Sequence, residues 1–480
     1  MFDIQKYSLK TATYTFVCAF CLVVLQSCSS WRKKETVEPE KEVLLSDLAF
    51  IRQKGTLSAV VDYNSTNYFV YRGRPMGFKY ELLQKLCEDL DVKLEIVVNN
   101  SLNESFEGLK NGRYDVIARN LAITISRKRE VDFTVPLYNT RQVLIQREVG
   151  LGAPDSLYIY SILELAGKKI HVPRNSSFHR RLIHLSEEIG DNIEIAEDTI
   201  YGTEGLIARV ANGEIDYTVC DENVARVNKT YYRNIDVSVD ISFPQNIAWA
   251  VRKDSGEWKN FLDEWITGFK ESREYEQMYY RYFRSPRMAG RLQSDYHSIS
   301  GGKISDFDPL IKRFAKENNW DWRLIAAVMF QESSFNPQAE SWAGAYGLMQ
   351  LMPETAQILR LENYKDPVQN IRGGISMLSW LNEQLTESVP DSTERVKFVL
   401  AAYNVGLGHV KDAQRLAEKY GKNSQVWNGN VDYFLKNKSA KKYFKDPVVR
   451  WGYCRGDEPY NYVNKVTNNY MHYLNVIPES

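Results

Sequence analysis

The stretch QESSFNPQAESWAGAYGLMQLMPETA, Gln331 to Ala356, sets a single acid, Glu332, at the end of an apolar segment. Ile325, Val328, Met329 and Glu332 recur at i, i+3, i+4 and i+7, so on a helix over Asp321–Ser333 they share one face. Desolvation disfavours the charged form of a carboxyl placed there, and so does the negative end of the helix dipole. An acid that keeps its proton near neutral pH can protonate a leaving oxygen. The plain alternative is a buried glutamate satisfied by local N–H groups. Two neighbouring acids read more simply: Glu340 precedes a loop and suits a solvated charge, and Glu354 suits the first turn of a helix that Pro353 opens.

Around that acid, ESSFNPQAESWAGAYGLMQLMPETA, AAYNVG and EPYNYV resemble, in order, the motifs of the lytic transglycosylase domain with a lysozyme-like, mainly α fold, over about 305–480. The resemblance implies that Glu332 is the catalytic acid and that Tyr462 hydrogen-bonds to it. It implies that Gly347, Met349 and Gln350 belong to a second motif, in which Gly347 lets the sugar approach and Gln350 bonds to it. Ser341 would meet the N-acetyl group of the reacting sugar, and Tyr403 and Asn404 form a third motif, with Tyr403 open between core and contact. Tyr460 is the rival to Tyr462. Gly406-Leu-Gly408 is too bare for a phosphate loop and reads as a helix end. The implied reaction cleaves the β-1,4 bond between N-acetylmuramic acid and N-acetylglucosamine without water, closing a 1,6-anhydro ring. One acid suffices for that, whereas ordinary glycosidases pair two carboxylates. The rivals are a lysozyme-type hydrolase, with Glu340 activating water, and a non-catalytic lipoprotein that only binds peptidoglycan and ligand.

Upstream, short apolar runs alternate with helical stretches. Leu57–Val61, Val92–Val97, Asp115–Ala118, Lys169–Val172, Asp216–Val219 and Ile247–Val251 read as strands, and Tyr80–Leu90 as a helix, which predicts α/β lobes with largely parallel sheets. GRPMGFKYELLQKLCEDLDVKLEIV, LKNGRYDVIARNLAITISRKREVDFTVPLY and VANGEIDYTVCDENVA resemble the periplasmic amino-acid-binding proteins of ABC transporters. This places a two-lobed domain at 46–285, with lobe two at about 147–240. The resemblance implies that Arg127, in Thr124-x-x-Arg127, grips a ligand carboxylate in a planar, bidentate fashion. Asp221 would meet a ligand ammonium, Ser176 and Ser177 would offer backbone N–H groups at a helix N-terminus, and Tyr68 would form an aromatic wall. A solvated Arg127 and a helix-capping Asp221 are the simpler readings. RNLAIT before Arg127 is bulkier than the glycine-containing stretch usual in that family, which favours a peptide-like ligand. Residues 286–304 (SPRMAGRLQSDYHSISGGKIS spans them) read as a linker.

The chain opens on an address. Lys6 and Lys10 precede an apolar run, Phe16 to Leu25, too short for a bilayer that needs about 20 residues. Leu25-Gln-Ser-Cys28 resembles a bacterial lipobox, so residues 1–28 are expected to be a lipoprotein signal, with Cys28 lipidated and the membrane reached through that lipid. Ser29 favours the outer membrane, facing the periplasm, and 29–45 (WRKKETVEPEKE within it) reads as a tether. A length of 480 residues calls for more than one domain. Zero net charge argues against a nucleic-acid partner. After Cys28 the only cysteines, Cys87, Cys220 and Cys454, lie far apart, and the 6 histidines are scattered, so no metal and no cofactor is expected.

Overall fold

The structure, a computed structural model, describes residues 47–477 apart from Asn100, 151–154, Asn175, Ile200, Pro286, Gln293 and Ser300. Cys28, the signal segment and the tether at 29–45 lie outside the described residues. In chain order, strands β1 (Thr56–Val61), β2 (Phe69–Tyr71), β3 (Arg74–Met76), β4 (Lys93–Val98), β5 (Val116–Ile117), β6 (Asp132–Phe133) and β7 (Tyr138–Thr140) come first. β8 (Gln142–Arg147), β9 (Lys169–Pro173), β10 (Glu194–Asp198), β11 (Tyr217–Asp221) and β12 (Ile235–Asp236) follow, and β13 (Gln245–Ile247) and β14 (Ala250–Val251) return.

Lobe one is a five-stranded sheet in the order β4-β1-β5-β14-β6, and lobe two a sheet in the order β10-β9-β11-β8-β12. Each is parallel over its first three strands and antiparallel over the rest: β1 runs parallel to β4 and β5 and β9 to β10 and β11, while β14 runs antiparallel to β5 and β6 and β8 to β11 and β12. The parallel strand β1 is buried along five of its six residues, which is why TLSAVV is a near-continuous apolar run. β7 and β13 pair antiparallel and form the two crossings between lobes. The expected strand Ile247–Val251 is therefore divided: Ile247 ends the crossing and Ala250–Val251 enters sheet one. β8 already belongs to the second sheet, so Gln142 enters lobe two ahead of the expected position 147.

From Asp308 onward the described chain is helical, with long helices Trp322–Ser333, Pro367–Leu385, Ser392–Val405, Leu407–Lys419 and Asp457–Val476. Two of them, Trp322–Ser333 and Asp457–Val476, bear Glu332 and Tyr462 and are called the acid helix and the tyrosine helix below. The linker is docked rather than free. It contains a helix, Arg287–Leu292, and its end lies against β2, where Ser298 N–H donates to the Val70 carbonyl and Val70 N–H to Ser298 Oγ, each at 2.9 Å.

Ser46–Ser480 forms one unit, and the core of lobe one runs without a break into that of the helical domain, whereas lobe two has its own. The tyrosine helix makes the join: Tyr473 Oη donates to the Gly73 carbonyl at 2.7 Å, and Asn475 Nδ2 to the Ile96 carbonyl at 3.1 Å. Gly73, with φ +76°, is needed there, because a Cβ would come within 2.7 Å of Phe335 and 2.8 Å of Tyr473.

Candidate active site and ligand cleft

The acid helix begins at Asp321, whose carboxylate accepts from Arg323 N–H at 2.8 Å and from Tyr470 Oη at 2.9 Å. It ends in the left-handed residue Ser334. At the next-to-last residue of the helix, Tyr462 Oη donates to Glu332 Oε1 at 2.5 Å. Tyr470 and Tyr462 both belong to the tyrosine helix, so two hydroxyls clasp the acid helix at its two ends and fix where Glu332 stands. Burial pushes the Glu332 carboxyl up to about 7, against the opposing hydrogen bond from Tyr462. No second carboxylate among the described residues contributes to that shift. Glu340 is exposed on the loop, and Tyr460 lies under the Lys436 ammonium at 4.6 Å rather than on Glu332.

The second motif works from within. Asn370, fully buried on helix Pro367–Leu385, accepts from Met349 N–H at 2.8 Å and donates to the Tyr346 and Tyr364 carbonyls at 2.9 and 2.8 Å. Gly347, at φ +81°, also has a packing reason, because a Cβ would sit 2.6 Å from Asn370 Nδ2. Met349 is fully buried too, and it serves through its backbone: its carbonyl accepts from Tyr403 Oη at 2.7 Å. Gln350 turns its amide nitrogen inward, to the Ala339 and Gly347 carbonyls at 3.0 and 2.9 Å, bracing the loop. Ser341 Oγ accepts from Ala345 N–H at 3.0 Å and holds a tight turn. Tyr403 is half-buried and has a polar duty, while Asn404 is exposed and lines a cavity of about 290 Å³ with Gln331, Glu458, Asn461, Tyr462 and Lys465.

Between the lobes the structure brings Arg127 and Asp221 together and leaves Tyr68 out. Arg127 is buried, not solvated, and its Nη1 donates to the Ala122 carbonyl at 2.9 Å. Burial lowers its pKa to about 10, with Arg180 and Arg119 adding repulsion. Thr124 caps the short helix that carries it. Asp221 stands at the N-cap of helix Glu222–Tyr231 without making a side-chain cap bond, so capping does not occupy its carboxyl. Burial and then Asp62 raise that carboxyl to about 7. Ser176 caps helix Ser177–Ile189 without a side-chain bond, and Ser177 Oγ accepts from Gln142 Nε2 at 3.5 Å. Lobe-to-lobe bonds run from Ser65 to Glu204, from Asn120 to Asp221 at 3.3 Å and from Arg180 to Ser126 at 3.1 Å. Tyr68 is fully buried in the join with the helical domain, its hydroxyl 2.6 Å from His472 Nδ1, so it does not wall the cleft.

Asn370, Lys79 and Asp62 escaped the sequence reading. Asn370 follows Asp366-Pro at a helix start and carries no periodic signal of its own. Among the described residues no group of three or more His, Cys, Asp or Glu could hold a metal, and no helix is long and apolar enough to cross a membrane.

Residues 309–426 match the transglycosylase SLT domain family, and residues 57–285 the bacterial extracellular solute-binding proteins of family 3. A protein from Desulfosudis oleivorans, named membrane-bound lytic murein transglycosylase F, is 32% identical over 423 residues, covering 88% of this chain and 90% of that protein. One of the same name from Photobacterium profundum is 32% identical over 465 residues, covering 95% and 85%. Among solved structures, a mutant of ArgBP from T. maritima is 22% identical and covers 50% of this chain and 100% of its own, with a TM-score of 0.43.

Proposed function

We propose a residue-level reading for a chain that belongs to the membrane-bound lytic murein transglycosylase F family. The protein is a peptidoglycan lytic transglycosylase, a lyase, with an N-terminal solute-binding domain. The reading assigns Glu332 both proton transfers. Glu332 protonates the oxygen between N-acetylmuramic acid and N-acetylglucosamine, and the muramyl N-acetyl group stabilises the cationic centre. Glu332, now a carboxylate, takes the proton of the C6 hydroxyl of the same sugar, whose oxygen closes on C1. The observation that carries this is the lone Glu332 carboxyl, held near neutral titration by burial and gripped by Tyr462 at 2.5 Å. An acid with pKa close to the working pH gives and regains a proton with comparable ease.

In this reading Tyr462 orients the acid, and Asn404, on the cavity beside it, binds sugar. Ser341, Gly347, Met349, Gln350 and Tyr403 act mainly by holding the loop that shapes the site, with Ser341 also near enough in sequence to meet the N-acetyl group. The cleft between the lobes takes an amino-acid-like or cell-wall peptide ligand, its carboxylate on Arg127 and the N-terminus at Ser176 and Ser177, its ammonium on Asp221. Closure around that ligand biases the enzyme only if the ligand prefers one lobe arrangement. Lipidation of Cys28 places the chain on the periplasmic face of the outer membrane, where it remodels and turns over the wall.

Mass spectrometry of fragments released from purified peptidoglycan tests the chemistry. Products lighter by one water than reducing muropeptides are expected. Reducing ends would mean hydrolysis and would turn the search to Glu340, and no release would leave a binding protein.

A further inference from the structure

Lys79 is the second residue of helix Phe78–Leu90 and is fully buried. Its ammonium finds no hydrogen-bond partner, although it carries three donors. It stands 4.7 Å from the ring centroid of Tyr138 on the crossing strand β7, within electrostatic reach of Asp62 and Asp221. Burial lowers its pKa to about 7 against the pull of those two carboxylates. An incompletely paired buried charge is among the costliest features a fold carries, and an apolar side chain of similar volume would pack there at less cost. Packing alone therefore does not account for a lysine at this position.

Other orphaned atoms surround the same space. Asn67 Oδ1 from lobe one lacks a partner, and so do Gln142 Oε1, Ser176 Oγ and Asn223 Nδ2 from lobe two. They belong together: Asn67 Nδ2 donates to Asp62 at 3.0 Å, Gln142 is the β-ladder partner of Asp221, and Asn223 Oδ1 accepts from Thr140 of the crossing. A ring of buried donors and acceptors drawn from both lobes is suited to a polar guest.

Arg127 and Asp221 already suffice for the two ends of a plain amino acid, which leaves Lys79 as a third reading charge. We propose that Lys79 pairs with a second carboxylate of the ligand, so that the cleft selects an amino acid or short peptide with one free ammonium and two carboxylates. Lys79 also neutralises Asp62, the acid that would otherwise attract a cationic side arm. The inference rests on the cleft being a ligand site, as read above.

Calorimetric titration of the full chain in detergent, with glutamate, glutamine and lysine as free amino acids and as alanyl dipeptides, tests it. The acidic probes are expected to bind at least about tenfold more tightly than their amides, as a charge-assisted contact requires, and the lysine probes most weakly. In Lys79→Met the acid-to-amide ratio should fall toward one, while Lys79→Arg should retain it. If Lys79→Met does not fold, the ratio in the unaltered protein decides. Equal affinity for acid and amide, or a ratio unchanged in Lys79→Met, overturns the inference and leaves the cleft a ligand site. Failure of folded, unaltered protein to bind any probe overturns both.

Discussion

Glu332 in the helical domain and Asp221 between the lobes both titrate at about 7, and opposite surroundings bring them there. Glu332 is raised by burial alone, and a single neutral hydroxyl opposes the shift. Asp221 is raised by burial and by a second acid, Asp62, and is held down by Asn120, Lys79 and Arg127. The first is a lone acid with no charged group among the causes of its shift. The second is one member of a balanced set of charges, arranged for partners to complete. Similar titration therefore has different physical causes, and under the proposed reading the neighbours suit Glu332 to proton transfer and Asp221 to recognition.

The largest expected effect breaks one side of this comparison. Glu332→Gln keeps the shape and removes the proton, so release of anhydro products should fall on the order of 10²-fold or more. Ligand affinity at the cleft should stay as it was. Cleavage within a few-fold of the unaltered enzyme would remove Glu332 from the chemistry.

The next effect is thermodynamic. The Glu332 carboxyl has a folded-state pKa of about 7 against an ordinary 4.5. Between those values the folded state keeps a proton that the unfolded state has lost, so stability declines as pH rises through the interval and levels off above it. The whole decline is on the order of 3 kcal/mol for this group. Subtracting Glu332→Gln isolates it: urea midpoints should favour the variant increasingly from about pH 5 to about pH 8. A difference independent of pH would show that Glu332 is not raised.

Tyr462→Phe makes a subtler change. Its hydroxyl favours the carboxylate, so its loss raises the Glu332 pKa further. The alkaline limb of the rate profile, where the acid loses its proton, should shift to higher pH, with a lower maximum from the lost orientation. A limb that stays in place would assign it to another group.

Glu332 was legible from an apolar stripe, whereas Tyr462 and Arg127 were picked out by the family resemblance of EPYNYV and of Thr124-x-x-Arg127. The strands were legible from local pattern, as Glu332 was, since Thr56–Val61 and Lys93–Val98 are runs of the right length and residue type. What escaped depends on distant partners. Gly347 reads as a loop glycine until Asn370, far along the chain, is found against it. Lys79 carries no sequence signal of burial yet is fully buried beside Tyr138 of the crossing, and Tyr68 reads as a cleft aromatic until the tyrosine helix meets it. Tertiary contact assigns such residues, and no periodicity announces it.

The smallest expected effect bears on whether the two regions act as one. Tyr68 ends the loop that carries Asp62 and Asn67 of the cleft, and its hydroxyl lies 2.6 Å from His472 on the helix that carries Tyr462. Tyr68→Phe deletes one oxygen at nearly constant volume. His472 Nε2 already lacks a partner, and the change would orphan Nδ1 as well, in a ring whose burial lowers its pKa to about 3. Such a loss costs about 1–3 kcal/mol, because a buried polar group left unpaired forfeits its hydration. Chemical denaturation should register that as a lower midpoint. Turnover with and without a cleft ligand then separates two outcomes. If loop and helix transmit the state of the cleft, the ligand's effect on turnover shrinks in Tyr68→Phe while Glu332 chemistry without ligand persists. If the ligand's effect is undiminished, this contact only fastens lobe one to the helical domain, and coupling has to run through the docked linker at Val70 and Ser298.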